Sequence, residues 1–259
     1  MRTVSPAIAG ILEQLELDQP RIVTRADIDR ARGESGTDTS VDYAIRVLIE
    51  NGWLLTLRTR GVWEFAPAAR AGAHTAGDTH IELRAHLVRK PHTPVIIAAE
   101  SAAWHLGLGA RPPTRHVLAA PADYRVPPAL SGYRIIRHQP RLPSRTRDGL
   151  PVMSEASLLT SMAARPSTYR DWPNVAEWLG DIVGRYTEED LRVELESQPR
   201  SVWMRTCYLI SRGGDTDTAT RIRDDAPEGT GPYFLGTNHT GTYDRVFSVV
   251  DSLLAPRAR

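Results

Sequence analysis

The sequence predicts an α+β fold in two parts, a small unit of three helices closed by a β-hairpin and a larger mixed α/β region. Three patterns support this division. Apolar residues recur at helical spacing in three segments before residue 52, and two short β-prone runs follow them. Beyond residue 80, apolar runs typical of buried strands give way to helical patterns. A length of 259 residues suits two domains.

The first predicted helix begins at Ser5-Pro6, with serine as N-cap and proline at the first helical position. It continues to about Leu17, because apolar residues repeat on one face, at Ile8, Ile11, Leu12 and Leu15. Asp18-Gln19-Pro20 ends it, and Ile22-Val23 predicts a short extended segment.

A second and a third helix follow. Thr24 with Asp27 three residues later forms a variant of the capping box that starts helices. The turn-forming residues 33–38 then separate this helix from the next. The third helix has a buried face at Val41, Ala44, Ile45 and Leu48, and it ends near Asn51-Gly52.

Residues 53–57 and 62–65 are β-prone, and the loop 58–61 between them supplies Gly61 for a hairpin turn. Three helices followed by a hairpin is the order of a winged helix-turn-helix. We therefore predict a winged helix-turn-helix DNA-binding domain at residues 1–70, a linker at 71–79 and a mixed α+β domain at 80–259.

In such a domain, the exposed residues at the start of the last helix reach the major groove, while other contacts go to phosphates. The predicted DNA-binding residues are Thr39, Ser40, Tyr43 and Arg46 on the helix and Arg58 and Arg60 at the wing tip. Arg46 suits guanine recognition, and the hydroxyl groups suit phosphates or base edges.

A second interpretation stays open, in which the winged domain contacts only proteins. Residues 1–75 contain nine arginines and ten acidic residues, so this segment is not basic overall. The third helix itself carries Asp42 and Glu50, which would weaken DNA binding or place the basic patch elsewhere.

In the larger domain, residues 80–88 predict a helix, residues 95–99, 116–119 and 133–137 predict strands, and residues 246–250 predict a final strand. Residues 139–151 are expected to form an exposed loop, since they combine prolines with charged residues. Four helices are predicted after this loop, and they start near Leu158, Val175, Thr187 and Ser201.

The sequence contains few residues that indicate a catalytic or metal-binding site. Cys207 is the only cysteine, which excludes a disulfide framework and a four-cysteine zinc site, and its apolar surroundings predict an inert thiol. His80, His86 and His92 are six residues apart, so they would not share a helix face. Asp215 and Asp217 are explained by helix capping as well as by a metal loop. We expect no catalytic residues, metal or cofactor, and no enzyme.

No apolar run of about 18 residues and no signal peptide is recognisable, so the expected location is the cytoplasm, without membrane contact. The net charge of +1 gives no argument for or against a polyanionic partner.

The chain resembles the AbiEi-type antitoxins, regulators of bacterial toxin–antitoxin pairs, and their mycobacterial representatives in particular. The resemblance covers both predicted domains. It depends on the order and spacing of short motifs at 44–46, 52–54, 61–65, 101–107 (Ser-Ala-Ala-Trp-His-Leu-Gly), 164–167, 203–205, 208–209 and 213–214.

The resemblance implies a DNA-binding repressor of its own toxin–antitoxin promoter. It also implies that the larger domain counteracts a partner nucleotidyltransferase toxin, with or without a stable complex, and it leaves self-association on DNA open. Two alternatives remain. One is a stand-alone winged-helix transcription factor with a ligand-sensing or oligomerising C-terminal domain, and the other is an enzyme tethered to DNA.

Overall fold

The computed structural model describes residues 6–68, 77–236 and 240–254. Its contacts divide the chain into two compact units. The first runs to Thr93 and includes Val126–Ser131, and the second comprises Pro94–Arg125 and continues from Gly132. The predicted N-cap Ser5 and most of the predicted linker, residues 71–76, lie outside the described residues. In the described part of the chain, no helix is both long and apolar enough to cross a membrane.

The first unit has the element order that the sequence predicts. After a short 3-10 turn at Pro6–Ile8 come α1 (Ala9–Asp18), β1 (Ile22–Thr24), α2 (Arg25–Glu34) and α3 (Val41–Glu50). The hairpin strands β2 (Leu54–Thr56) and β3 (Val62–Phe65) follow. The three antiparallel strands lie in the order β1-β3-β2, with Val23 opposite Trp63 and Leu55 opposite Glu64.

Local capping explains where α2 and α3 begin. The Thr24 side chain accepts a hydrogen bond from the backbone N–H of Asp27, and the Asp27 carboxylate accepts the backbone N–H of Thr24, which confirms the capping box. Ser40 is the N-cap of α3. After α3, Gly52 has a φ of 72°, a left-handed conformation that glycine adopts without a Cβ penalty.

The apolar faces of α1, α2 and α3 meet in one core with the hairpin, where Ile11, Ile28, Leu48 and Phe65 are all almost completely buried. α1 comes very close to the turn after α2. A Cβ added at Gly10 would lie 2.7 Å from the Cβ of Ser35, so a larger residue there would push these segments apart.

A fourth helix, α4 (Ile81–Arg89), also belongs to the first unit. The sequence predicts this helix but places it in the larger domain, which is expected to begin at residue 80. The contacts set the division after Thr93, because α4 packs on β1 and β3 and on the short 3-10 turn Pro128–Leu130.

The second unit contains a mixed five-stranded sheet in the order β6-β5-β4-β8-β7. Its strands are β4 (Ile96–Ile97), β5 (Val117–Ala120), β6 (Arg134–Arg137), β7 (Arg145–Arg147) and β8 (Leu150–Val152). Helix α5 (Ala99–His105) follows β4 directly and packs on β5.

The predicted exposed loop at 139–151 is wrong in its second half, because β7 and β8 form an antiparallel hairpin there, with Arg147 opposite Leu150. Asp148 and Gly149 make the turn, with φ values of 48° and 70°. Such an Asp-Gly pair is a known hairpin signal, and the prolines around it hid the pattern.

Besides α5, the second unit contains α6 (Glu155–Ala164), α7 (Trp172–Ile182), α8 (Glu188–Leu195), α9 (Arg200–Gly213) and α10 (Thr216–Asp224). The first four were predicted, and α10 was not. Helix α9 is central, since it packs against α6, α7 and α10. A small sheet in the order β10-β11-β9 completes the unit, with β9 (Tyr233–Leu235), β10 (Thr242–Asp244) and β11 (Val249–Asp251).

Candidate nucleic-acid interface

Helix α3 separates a buried face from an exposed one. Ala44, Ile45, Val47 and Leu48 are buried in the core of the first unit. Tyr43 and Arg46 are exposed, as the helical period requires of residues on the opposite face. The sequence-predicted helix residues therefore lie on the outer surface of this unit.

Arg46 is held close to its neighbour on the helix. Its guanidinium carbon lies 5.3 Å from the centre of the Tyr43 ring, within the range of a cation–π contact. Among the described residues, no acidic side chain pairs with Arg46. Its five N–H donors are available to an outside acceptor, and the ring restricts where they point.

Two hydroxyl groups stand at the start of α3. The Ser40 Oγ accepts a hydrogen bond from the backbone N–H of Tyr43 at 3.2 Å, so it serves as the helix cap. Its hydroxyl group is exposed and retains one proton to donate, and Thr39 beside it is partly exposed. The free N–H groups and dipole of a helix N-terminus favour an anion such as a phosphate.

The acidic residue at this end of the helix is neutralised. Both carboxylate oxygens of Asp42 accept hydrogen bonds from Arg25 of α2, one of them at 3.1 Å from Nη2. The contact lowers the pKa of Asp42 and raises the pKa of Arg25. In both cases the hydrogen bond between the two side chains is the largest cause. Glu50, the other acidic residue noted in the sequence, lies at the far end of α3, roughly 12 Å along the helix.

The wing supplies two arginines with different surroundings. The Arg58 backbone N–H donates to Glu82 of α4, and its Nη1 donates to the Ser131 hydroxyl at 3.1 Å. Arg60 is exposed, and in the described part of the chain its side chain has no ion pair. Arg58 thus fixes the wing within its own unit, while Arg60 is the wing arginine with all donors available.

One further basic residue of this surface was not predicted from the sequence. Arg89, at the end of α4, is exposed and lies next to the wing, with its Nη1 3.9 Å from the Cβ that Gly61 lacks. With Arg25 and Val41 it lines an open groove of about 440 Å³ beside the start of α3. The sequence predicts a helix at residues 80–88, directly before Arg89, but places it in the other domain.

Several ionisable groups elsewhere in the chain have structural partners. None of the described residues forms a group of three or more metal-ligating side chains. His86 is buried against the Thr93 hydroxyl, and His116 contacts the Ser101 hydroxyl. In the second unit, the buried Glu194 accepts the Ser157 hydroxyl at 2.6 Å and the backbone N–H groups of Arg141 and Leu142, so it holds a loop.

Comparisons with known proteins agree with the resemblance seen in the sequence. Residues 95–212 match the family model of the AbiEi antitoxin C-terminal domain. A search of curated proteins gives no significant match. Among solved structures, the crystal structure of the RV2827C protein from Mycobacterium tuberculosis is similar, with a TM-score of 0.80 and 28% identity. That alignment covers 98% of this chain and 94% of the other, so both units take part in it.

The family match lies within the second unit, and the first unit has winged-helix element order. The α+β fold predicted from the sequence is confirmed, and so is the resemblance. Residues 95–212 of this chain are thus similar to the AbiEi antitoxin C-terminal domain.

Proposed function

We propose that this protein is a DNA-binding antitoxin that represses the promoter of its own toxin–antitoxin pair and counteracts a nucleotidyltransferase toxin. It would act in the cytoplasm, where promoter DNA is available. The proposal unites an antitoxin-family domain in the second unit with a winged helix-turn-helix arrangement in the first.

The observation that carries the DNA-binding part is the exposed face of α3. Arg46 stands there without an acidic partner among the described residues and is positioned by Tyr43. The positive charge of Arg25 offsets that of Asp42, which alone would repel phosphates from the helix N-terminus. In this assignment Arg46 reads a base, Ser40 and Thr39 bind phosphate or base edges, and Arg58 and Arg60 bind phosphate.

Two experiments test the two halves separately. A reporter driven by the gene's own upstream region should be repressed when the chain is expressed, and Arg46→Ala should relieve that repression. Growth arrest caused by the product of the neighbouring gene should be reversed by the wild-type chain. No repression and no rescue together would refute the proposal, while rescue without repression would limit it to toxin neutralisation.

A second candidate is a stand-alone winged-helix transcription factor whose second unit senses a ligand. An arginine-lined cleft in the second unit favours this candidate. It predicts a gene without a toxin neighbour and a DNA affinity that changes when the ligand is added.

A further inference from the structure

The second unit contains a cleft of about 410 Å³ that the proposed function does not use. Its volume lies in the range of small-molecule sites. Four arginines and two carboxylates line it, together with the apolar Ala103 and Pro112. This excess of positive charge in a concave site favours an anionic ligand.

One carboxylate and one arginine are already paired inside the cleft wall. Glu100, only 9% exposed, accepts Nη2 of Arg134 and the backbone N–H of Arg170. Nη1 of Arg134 donates to the Thr168 carbonyl at 2.7 Å. Because the charge of Glu100 is compensated within the protein, it does not cancel the arginines at the mouth.

Two further arginines at the mouth have uncommitted side chains. Arg111 and Arg170 are exposed, and among the described residues neither guanidinium has an ion pair or a hydrogen bond. A guanidinium forms paired, charge-assisted hydrogen bonds with a phosphate group. Two such groups on one cleft can hold a phosphate from two sides.

The start of α7 adds a different type of group. Asp171 precedes this helix and lines the cleft with Asn174, whose amide nitrogen donates to Asp171 Oδ1 at 2.8 Å. The second carboxylate oxygen of Asp171 has no hydrogen bond or ion pair among the described residues, so it can accept from a ligand. A ligand that carries a phosphate and hydroxyl groups can bind both the arginines and this carboxylate.

We propose that this cleft binds a small phosphate ester with hydroxyl groups, of the size of a sugar phosphate or mononucleotide. Arg111 and Arg170 bind the phosphate, and Asp171 accepts from a hydroxyl. The apolar wall at Pro112 covers the rest of the ligand. This site does not depend on the DNA-binding or antitoxin role of the chain.

Isothermal titration calorimetry on the full chain tests the proposal, with ribose 5-phosphate, adenosine monophosphate, inorganic phosphate, ribose and citrate as probes. The phosphate esters should bind, ribose should not, and citrate should bind at least tenfold more weakly. The double variant Arg111→Gln/Arg170→Gln should weaken ester binding at least tenfold, which corresponds to about 1.4 kcal/mol.

Two variants make the test specific. Arg147→Gln, at an exposed position of β7 outside the cleft, should bind every probe like the wild type. Asp171→Asn should weaken ribose 5-phosphate but leave inorganic phosphate unchanged. Thermal unfolding of each variant, expected to match the wild type, checks the fold.

The outcomes decide the proposal as follows. Binding of inorganic phosphate that equals binding of both esters overturns the ester assignment. No binding of any probe at millimolar concentration, or unchanged binding by the double variant, overturns the site. Loss of duplex DNA binding in the double variant, without binding of the small probes, would assign these arginines to a nucleic-acid surface instead.

Discussion

Replacing Arg46 with alanine removes the α3 residue that we propose reads a base. Because Arg46 is exposed and has no acidic partner among the described residues, its loss should leave the free energy of unfolding within about 0.5 kcal/mol of the wild type. Affinity for the correct operator should fall by about 1–3 kcal/mol, or roughly 5- to 150-fold, with relaxed specificity at one base pair.

Substitutions of Tyr43 test how Arg46 is positioned. The ring lies 5.3 Å from the Arg46 guanidinium and restricts it before DNA binds. An exposed cation–π contact is worth about 0.5–1 kcal/mol, so Tyr43→Ala should weaken operator binding roughly two- to fivefold. Tyr43→Phe keeps the ring and should keep most of the affinity. In the Arg46→Ala background, Tyr43→Ala should have much less effect, since the residue it positions is gone.

Fluorescence anisotropy with labelled duplexes measures these effects. Each variant is titrated onto the upstream sequence, onto single-base-pair substitutions of it, and onto a random duplex. Arg46→Ala should affect the upstream sequence far more than the random duplex. An equal loss on all duplexes would show that Arg46 contacts phosphate rather than a base, and additive effects of the two substitutions would refute the positioning role of Tyr43.

Three other predictions concern the Arg25–Asp42 ion pair, the thiol of Cys207 and the imidazole of His138. Arg25→Ala leaves Asp42 unpaired at the start of α3, so it should weaken binding of all duplexes, and Arg25→Ala/Asp42→Asn should recover part of that loss in the same anisotropy assay. Cys207 is completely buried and its pKa is raised to about 12, so a thiol reagent at pH 8 should react with unfolded protein only; rapid reaction of the native protein would contradict this. Burial lowers the pKa of His138 below 6.5, so as the pH falls His138 is protonated in the unfolded protein before it is protonated in the folded protein. The free energy of unfolding should therefore be highest above about pH 6.5 and decrease as the pH drops towards the folded pKa. Thermal unfolding from pH 7.5 to 5 should show a smaller drop for His138→Gln.

Much of the first unit follows from local sequence signals. The Thr24–Asp27 box, the Ser40 cap and the glycine after α3 each act within a few residues, and the apolar spacing of α3 sets its buried face. The positions of Tyr43 and Arg46 on the opposite face follow from the same period. Local signals of this kind are readable from a single chain.

The features that the sequence did not predict depend on distant partners or on mixed local signals. The pairing of Arg25 with Asp42 joins two helices, so the acidic residue alone suggested a weak DNA-binding helix. The position of α4 depends on its packing against β1 and β3, which no local pattern reveals. Around Asp148, the turn signal competed with flanking prolines that normally oppose strands.

The cleft of the second unit shows the same limitation. Arg111, Arg134 and Arg170 are spread over 60 residues of sequence and come from three different segments. Arg134 lies in β6, whereas Arg111 and Arg170 lie in loops, so their convergence depends on contacts between segments distant in sequence.

The most direct test of the central claim is a salt series with the full chain on its upstream duplex and on a random duplex of the same length. We predict tighter binding to the upstream sequence, a steep decrease of affinity with salt, and a slope reduced by about one for Arg60→Ala. Equal, weak binding to both duplexes, unchanged by Arg46→Ala and Arg60→Ala, would contradict the assignment of α3 and the wing to DNA.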